Sequence, residues 1–328
     1  MTLMNTTPDT ATAAEAGSSG TQPSVVGDAP RRRRHRRGTR TPADAAGRIL
    51  MSWPAAVIFG AFAIAPMAIG IYLSLTDWDG VNPARLIGGD NYRRALGPGD
   101  FRSSLTITLL IAVIGVIVQN AAGLALALAL NRTGRFAKLG RALFFYPVVL
   151  PAIAIGYLWH TLLDYHGALN VVLTHLGFAP LDVFASPTLA VGSIVLVTLW
   201  QQVGFVMVLY LAGLQAVPAE LRQAAQVDGA NKWQTFRHVV LPQLAPSVTI
   251  NVVLGLAGYL KLYELVIALT NGNPAGRTKT TVMRIFEDAF TNGRPGLAAA
   301  EGVVLAVLTA VLSFVVILTR RRSEGAVQ

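Results

Sequence analysis

No cysteine occurs among the 328 residues, and only 13% of them are charged. The first absence excludes disulfides, thiolate metal centres and cysteine nucleophiles. The second lies well below the rough quarter usual in soluble domains, while hydrophobic residues reach 53%, so the excess apolar content needs a lipid surrounding. No Gly-x-x-x-x-Gly-Lys-Ser/Thr loop is present, which excludes ATP binding by that route. The histidines, His35, His160, His166, His175 and His238, show no metalloprotease pairing and have no cysteine to complete a zinc cluster. No catalytic residue, metal or cofactor is expected.

What charge there is falls unevenly. The net charge is +10, and Arg31, Arg32, Arg33, Arg34, Arg36, Arg37 and Arg40 lie in one short stretch behind a Thr/Ala/Ser/Gly/Pro-rich start. Residues 1–47 bury too little apolar surface to offset chain entropy and read as a disordered, basic cytoplasmic tail. The arginine run reads as a positive-inside anchor attracted to anionic membrane lipid. Nucleic acid is not expected as a partner, because no aromatics are interleaved.

Crossing a bilayer takes about 20 mainly apolar residues in a helix. Such segments fall near Ser52–Thr76, Ser103–Leu130, Ala142–Leu163, Thr188–Ala216, Ala245–Thr270 and Leu297–Thr319. An all-α polytopic membrane domain of six spans over 48–322 is therefore expected, with 323–328 a short cytoplasmic tail. The first span starts too far along the chain for a signal peptide and reads as an uncleaved anchor. With both termini cytoplasmic, the inner side receives the arginine run, then Arg132, Arg135, Lys138 and Arg141, then Arg222, Lys232 and Arg237, then Arg320, Arg321 and Arg322. The positive-inside rule is satisfied on balance, although Arg277, Lys279, Arg284 and Arg294 dissent in the last outer loop.

Between the fourth and fifth spans lies a polar segment, Val217 to Pro242, with explicit local signals. Pro218 suits a first helical position and Glu220 complements the dipole of the first turn. Asp228-Gly229 stops that helix, and Asn231 with Gln234 forms a capping box for a second. Trp233, Phe236 and Val240 share a face, and Pro242 ends it. The result is a helix-turn-helix elbow outside the membrane. Its ordered residues resemble the Glu-Ala-Ala loop of the permeases of binding-protein-dependent ABC importers, with matches at Ala224, Ala225, Asp228, Gly229, Ala230, Phe236, Leu241 and Pro242. Gln223 stands where that motif begins with an acid. Leu73-Ser-Leu-Thr-Asp-Trp-Asp79, Asp90-Asn-Tyr-Arg93, Arg141-Ala-Leu-Phe-Phe-Tyr-Pro147, Leu211-Ala-Gly-Leu-Gln215 and Leu269-Thr-Asn-Gly-Asn-Pro274 look like the maltose-type sugar branch; there the last usually reads Thr-Gly-Gly-Gly-Pro, so Asn271 and Asn273 are substitutions.

The resemblance implies a type I importer permease fold in which the elbow is a coupling helix seated in a groove of a separate ATPase, transmitting force and performing no chemistry. It also implies a second permease subunit, two cytoplasmic ABC ATPases, an extracytoplasmic solute-binding protein and a sugar cargo. Residues 77–102 and 271–294 are then the docking surface for the binding protein. Glycerol phosphate or another polar solute is the alternative cargo. A secondary transporter is the alternative class, but it calls for intramembrane carboxylates and inverted repeats. Only Glu264 fits the first demand, and no clear repeat is seen.

Polar groups within spans are functional candidates by default. Lys261 and Glu264 fall three apart on the fifth span and can pair, near Asn251, Tyr259 and Tyr263. They read either as a polar wall of a translocation pathway or as an internal ion pair, with the lysine alternatively snorkelling outward. Gln119, Asn120, Gln201 and Gln202 read either as pathway or as hydrogen-bonding glue between spans. Glu301 reads as an interfacial charge, and Trp53, Trp78, Trp159 and Trp200 as interfacial or packing aromatics rather than a sugar platform.

Overall fold

The structure, a computed structural model, describes residues 53–324, and the side chains of 53–319. The basic tail, its arginine run and the last four residues lie outside the described residues, as do the side chains of Arg320, Arg321 and Arg322. Contacts divide the chain after Ala56. Of the segment Met1–Ala56 only residues 53–56 are described, as the start of a helix; everything below concerns the unit Val57–Gln328.

The helices are α1 (Trp53–Ser74), α2 (Asp90–Leu96), α3 (Asp100–Leu130), α4 (Arg135–Phe145), α5 (Ala152–Leu163), α6 (Ala168–His175), α7 (Pro187–Ala216), α8 (Ala219–Val227), α9 (Lys232–Gln243), α10 (Ala245–Leu260), α11 (Glu264–Leu269), α12 (Thr281–Phe286) and α13 (Pro295–Glu324). Among the described residues there is no strand, only an isolated bridge between Thr76 and Leu86. Among the described residues, four helices are long and apolar enough to span a membrane: α1, α3, α7 and α13 to Thr319. Two bent pairs bring the total to six if each is one span: Arg135–Val149 with Ala152–His175, bent by 100°, and Lys232–Gln243 with Ala245–Leu260, bent by 63°.

Those bends correct the expectation of straight third and fifth spans. Over Ala142–Leu163, Pro147 sits in a 3-10 turn and Leu150 is extended (ψ 141°) before Pro151. This is the backbone a residue preceding proline prefers, and it interrupts the helix. Over Ala245–Thr270, α10 ends at Leu260 and α11 starts at Glu264. Tyr263 leaves the helical region at φ −136°, and the Leu262 carbonyl accepts a hydrogen bond from Thr280 Oγ1 at 2.8 Å instead of closing a helical turn.

At the centre α3 and α7 run side by side. A large cluster around Ile111, Ile155, Ile194, Leu260, Leu265 and Leu269 joins them to α5, α10 and α11. A smaller one, with Ala127, Met207, Tyr210, Leu214 and Leu244, lies toward the elbow. Arg141 holds the end of α3 by donating to the carbonyls of Leu130 (2.7 Å) and Arg132 (2.8 Å), where helix-end carbonyls lack partners. By contrast α1, among the described residues, packs closely against α13 only through its Ala65–Ser74 portion, where Ser74 is the one buried residue. Its exposed Phe62, Ile64, Met67 and Ile69 suit lipid or another subunit, not water.

Candidate coupling elbow and translocation cavity

The elbow is built by local backbone chemistry. α8 starts after Pro218, which stands one position earlier than expected, in the N-cap place with ψ 135°. α8 ends in a Schellman arrangement: Gly229, at φ +80°, donates its N–H to Gln226 O (3.1 Å), and Ala230 donates to Ala225 O (2.9 Å). Asn231 follows at once as the next N-cap. Its side chain accepts from Gln234 N at 2.9 Å, and Gln234 Oε1 accepts from Asn231 N at 2.8 Å. The spacing of Ala225, Gly229, Ala230 and Asn231 therefore makes two helix caps back to back.

Pro242 does not end the second helix, contrary to expectation. Phe236–Val240 widens into a π turn in which Leu241 N donates to Phe236 O. This makes room for a ring that has no N–H and would press on the preceding turn. The helix runs to Gln243 and turns into α10 at Leu244. No residue of α8 is buried. Glu220, Gln223, Ala224 and Asp228 are exposed, and so are the large apolar side chains of Leu221, Val227 (88%) and Trp233 (65%). Trp233 and Phe236 meet at 5.7 Å between ring centroids. The elbow thus presents an apolar and amide surface that the chain itself leaves uncovered.

The second site lies in the bundle. A cavity of about 190 Å³ is lined by Gln119 from α3, Thr198, Gln201 and Gln202 from α7, and Asn251, Tyr259 and Leu262 from α10 and the break after it. Gln201 is held by donating to Leu150 O (3.2 Å), and Thr198 bonds back to Ile194 O (2.7 Å). Gln119 Oε1, both side-chain heteroatoms of Asn251 and Tyr259 Oη are buried with no hydrogen-bond partner among the described residues. Buried polar groups in that condition cost about 1–3 kcal/mol each unless something hydrogen-bonds them. The lining carries amide, hydroxyl and phenol groups and no charge.

The sequence candidates divide accordingly. Gln119, Asn251 and Tyr259 converge on the cavity. Asn120 instead accepts from Tyr210 Oη (2.6 Å) and donates to Val116 O (2.8 Å), which is the glue alternative. The pairing read for Lys261 and Glu264 is corrected: the helix breaks between them, both are exposed, and they form no ion pair among the described residues; neither lines this cavity. Tyr263 stacks on Phe286 at 4.6 Å. Thr198 escaped sequence reading because a lone threonine in an apolar run has no distinguishing pattern.

At the end of the bundle away from the elbow, the Asp90-Asn-Tyr-Arg93 motif acquires a role. Buried Asn91 donates to the carbonyls of Ser74 (3.0 Å) and Thr76 (2.7 Å), tying off the first span. Hydrogen bonds from the Asn82 backbone, the Asn82 amide and the Val81 backbone pull exposed Asp79 down to about 2. Asn271 takes φ 48°, a left-handed conformation that asparagine tolerates, so it replaces the glycine of related turns without strain. Of the dissenting basic residues, Lys279 pairs with Glu287 (2.8 Å), and Arg284 with Asp288 (2.8 Å) and Asp100 (3.1 Å). Glu301, expected at the interface, is 2% exposed.

Residues 119–324 match the family described as the binding-protein-dependent transport system inner membrane component. Similar proteins include the probable starch degradation products transport system permease protein AmyD of Thermoanaerobacterium thermosulfurigenes, 33% identical over 78% of this chain and 88% of that protein. The diacetylchitobiose uptake system permease protein NgcF of Streptomyces coelicolor is 34% identical over 82% of this chain and 80% of its own length. The trehalose/maltose transport system permease protein MalF of Thermococcus litoralis is 30% identical, covering 82% and 90%. Among solved structures, a chain of a bacterial alginate ABC transporter in complex with alginate pentasaccharide-bound periplasmic protein superposes with a TM-score of 0.76 at 22% identity, over 87% of this chain and 98% of that one.

Proposed function

Because the chain belongs to the family of binding-protein-dependent transport system inner membrane components, we propose that it is the permease subunit of an ATP-driven importer that carries a sugar or oligosaccharide through the cavity lined by Gln119, Asn251 and Tyr259. It is a multi-pass membrane protein and a transporter subunit, not an enzyme; ATP hydrolysis belongs to separate subunits, and a solute-binding protein is a partner. The observation that carries the mechanism is the elbow. Two back-to-back caps hold a short two-helix unit of fixed shape with Val227 and Trp233 exposed, a form suited to a groove on an ATPase. Closure of the ATPases pushes this unit, and α9 passes the movement through the Leu244 turn into α10, which carries Asn251 and Tyr259.

The cargo reading rests on the uncharged lining together with relatives named for starch products, diacetylchitobiose, and trehalose or maltose. Amides and a phenol match hydroxyl groups, which donate and accept together, whereas a phosphate-bearing cargo calls for the basic groups that this cavity lacks. We further take both termini to be cytoplasmic and the partner permease to be a different chain, placed against the exposed apolar faces of α1 and α7.

The test is reconstitution with the partner permease, ATPases and binding protein in proteoliposomes. ATP-dependent uptake of maltose, trehalose or diacetylchitobiose is expected; uptake of glycerol phosphate with none of these sugars contradicts the cargo. Gln223→Glu, at an exposed position where the related motif begins with an acid, is expected to keep uptake within about twofold, since the change is nearly isosteric and a tolerated substitution shifts energies by no more than about 0.5 kcal/mol. Complete loss there means that the ATPase groove requires the neutral amide.

A further inference from the structure

At the end of the bundle opposite the elbow, a second cavity of about 370 Å³ opens between the end of α1, the start of α3 and the start of α13. The 31 residues of α3 place it roughly 45 Å from the elbow, at 1.5 Å per residue. Its wall contains Glu301, which is 2% exposed, whose carboxyl faces Asp288, and whose Oε2 has no hydrogen-bond partner among the described residues. Beside it is fully buried Asp288, whose two oxygens accept from Arg284 (Nε 2.8 Å, Nη2 3.1 Å) and from Asn292 (2.7 Å). Arg94 and Arg294 stand exposed on the rim without an ion pair among the described residues, and half-buried Trp78 forms part of the lining.

We propose that this cavity is a second saccharide site, a receiving position where cargo rests before entering the inner cavity. The inference rests on the sugar reading above. The Glu301 carboxyl oxygen on the inside accepts from a hydroxyl, and guanidinium groups at the rim donate to hydroxyls, so one neutral polyhydroxylated ligand serves both. The lining sets Asp77, Asp100, Asp288 and Glu301 against Arg94, Arg284 and Arg294, a near balance of charge that favours a neutral ligand over an ion of either sign. Trp78 supplies an apolar face for the C–H side of a sugar ring. Apart from Glu301, the buried acids and bases already satisfy one another, and that leaves Glu301 Oε2 as the acceptor a ligand hydroxyl completes.

The test uses the whole transporter in nanodiscs without its binding protein, with maltose, trehalose and diacetylchitobiose as probes. Dissociation constants come from saturation-transfer NMR, and ATP-driven uptake is measured in parallel with the binding protein present. The transported probe is expected to bind the wild type, and both Glu301→Leu and Trp78→Ala to weaken it by about tenfold, the order expected for losing a buried hydrogen bond or a ring contact. Binding that neither variant changes, or no binding of a probe that is transported, overturns the second site and leaves the import reading standing. Transport of none of the three contradicts the import reading and takes this inference with it.

Discussion

Replacing Gly229 by valine is expected to cut ATP-coupled uptake by at least about tenfold while the chain still reaches the membrane. Gly229 holds φ +80°, and an L residue in that region costs about 1–2 kcal/mol, more when branched at Cβ. A Cβ there meets nothing within 4 Å, so the cost is conformational rather than steric. The two capping bonds, Gly229 N to Gln226 O and Ala230 N to Ala225 O, are each worth about 1 kcal/mol and go with the turn. Since no residue of α8 is buried, no packing holds it in place once the caps fail. About 1.4 kcal/mol already corresponds to a factor of ten. Gly229→Asn, which tolerates the left-handed region, is expected to keep most of the activity. Uptake per chain, from proteoliposome assays normalised by immunoblot, decides it; full uptake by the valine variant removes the elbow from the coupling mechanism.

Gly204→Val is expected to act on the fold itself. In the middle of α7, a Cβ at 204 falls onto the Phe144 carbonyl oxygen and within 2.7 Å of Phe145 Cα. These are backbone atoms at the end of α4 and have no rotamer to yield. Overpacking a well-filled contact costs about 1–3 kcal/mol where side chains can shift, and here the helices themselves must separate. The membrane offers no hydrophobic compensation for that separation, because close approach through small residues is what holds spans together. The variant should show a lower thermal midpoint in mild detergent and reduced accumulation. Gly192→Val on the same helix, where a Cβ meets nothing within 4 Å, is the matched control and should behave as wild type. Equal midpoints for both variants contradict the crossing of α4 and α7 at Gly204.

Long apolar runs such as Ser103–Leu130 and Thr188–Ala216 declared two central spans directly, because a bilayer sets a length that α3 and α7 meet with little deviation. The elbow was legible for another reason: its caps are local, and Gly229, Asn231 and Gln234 satisfy one another within a few residues. The break at Leu262 was hidden, since the bond that stabilises it comes from Thr280 in a different segment. Pro242 misled because proline's effect depends on whether the preceding turn widens, which it does here at Phe236–Val240. Lys261 and Glu264 drew attention as rare charges, but spacing along a helix predicts pairing only while the helix is continuous. Glu301 looked interfacial by its position in the sequence; it is buried where the helical turn Glu287–Thr291 packs against α13.

The chain's lack of cysteine permits the most direct test. A single Val227→Cys, on the exposed elbow surface, gives one attachment point, and the matched control is Asp79→Cys at the other end of the chain's first span. After labelling with a maleimide that carries a photoreactive diazirine, and illumination of membranes containing the assembled transporter, the account predicts that Val227→Cys forms an adduct with the ATPase subunit, in a yield that changes with ATP, while Asp79→Cys forms none. An ATPase adduct at Asp79→Cys, or none at Val227→Cys in a complex that still takes up sugar, contradicts the placement of the coupling contact on the elbow.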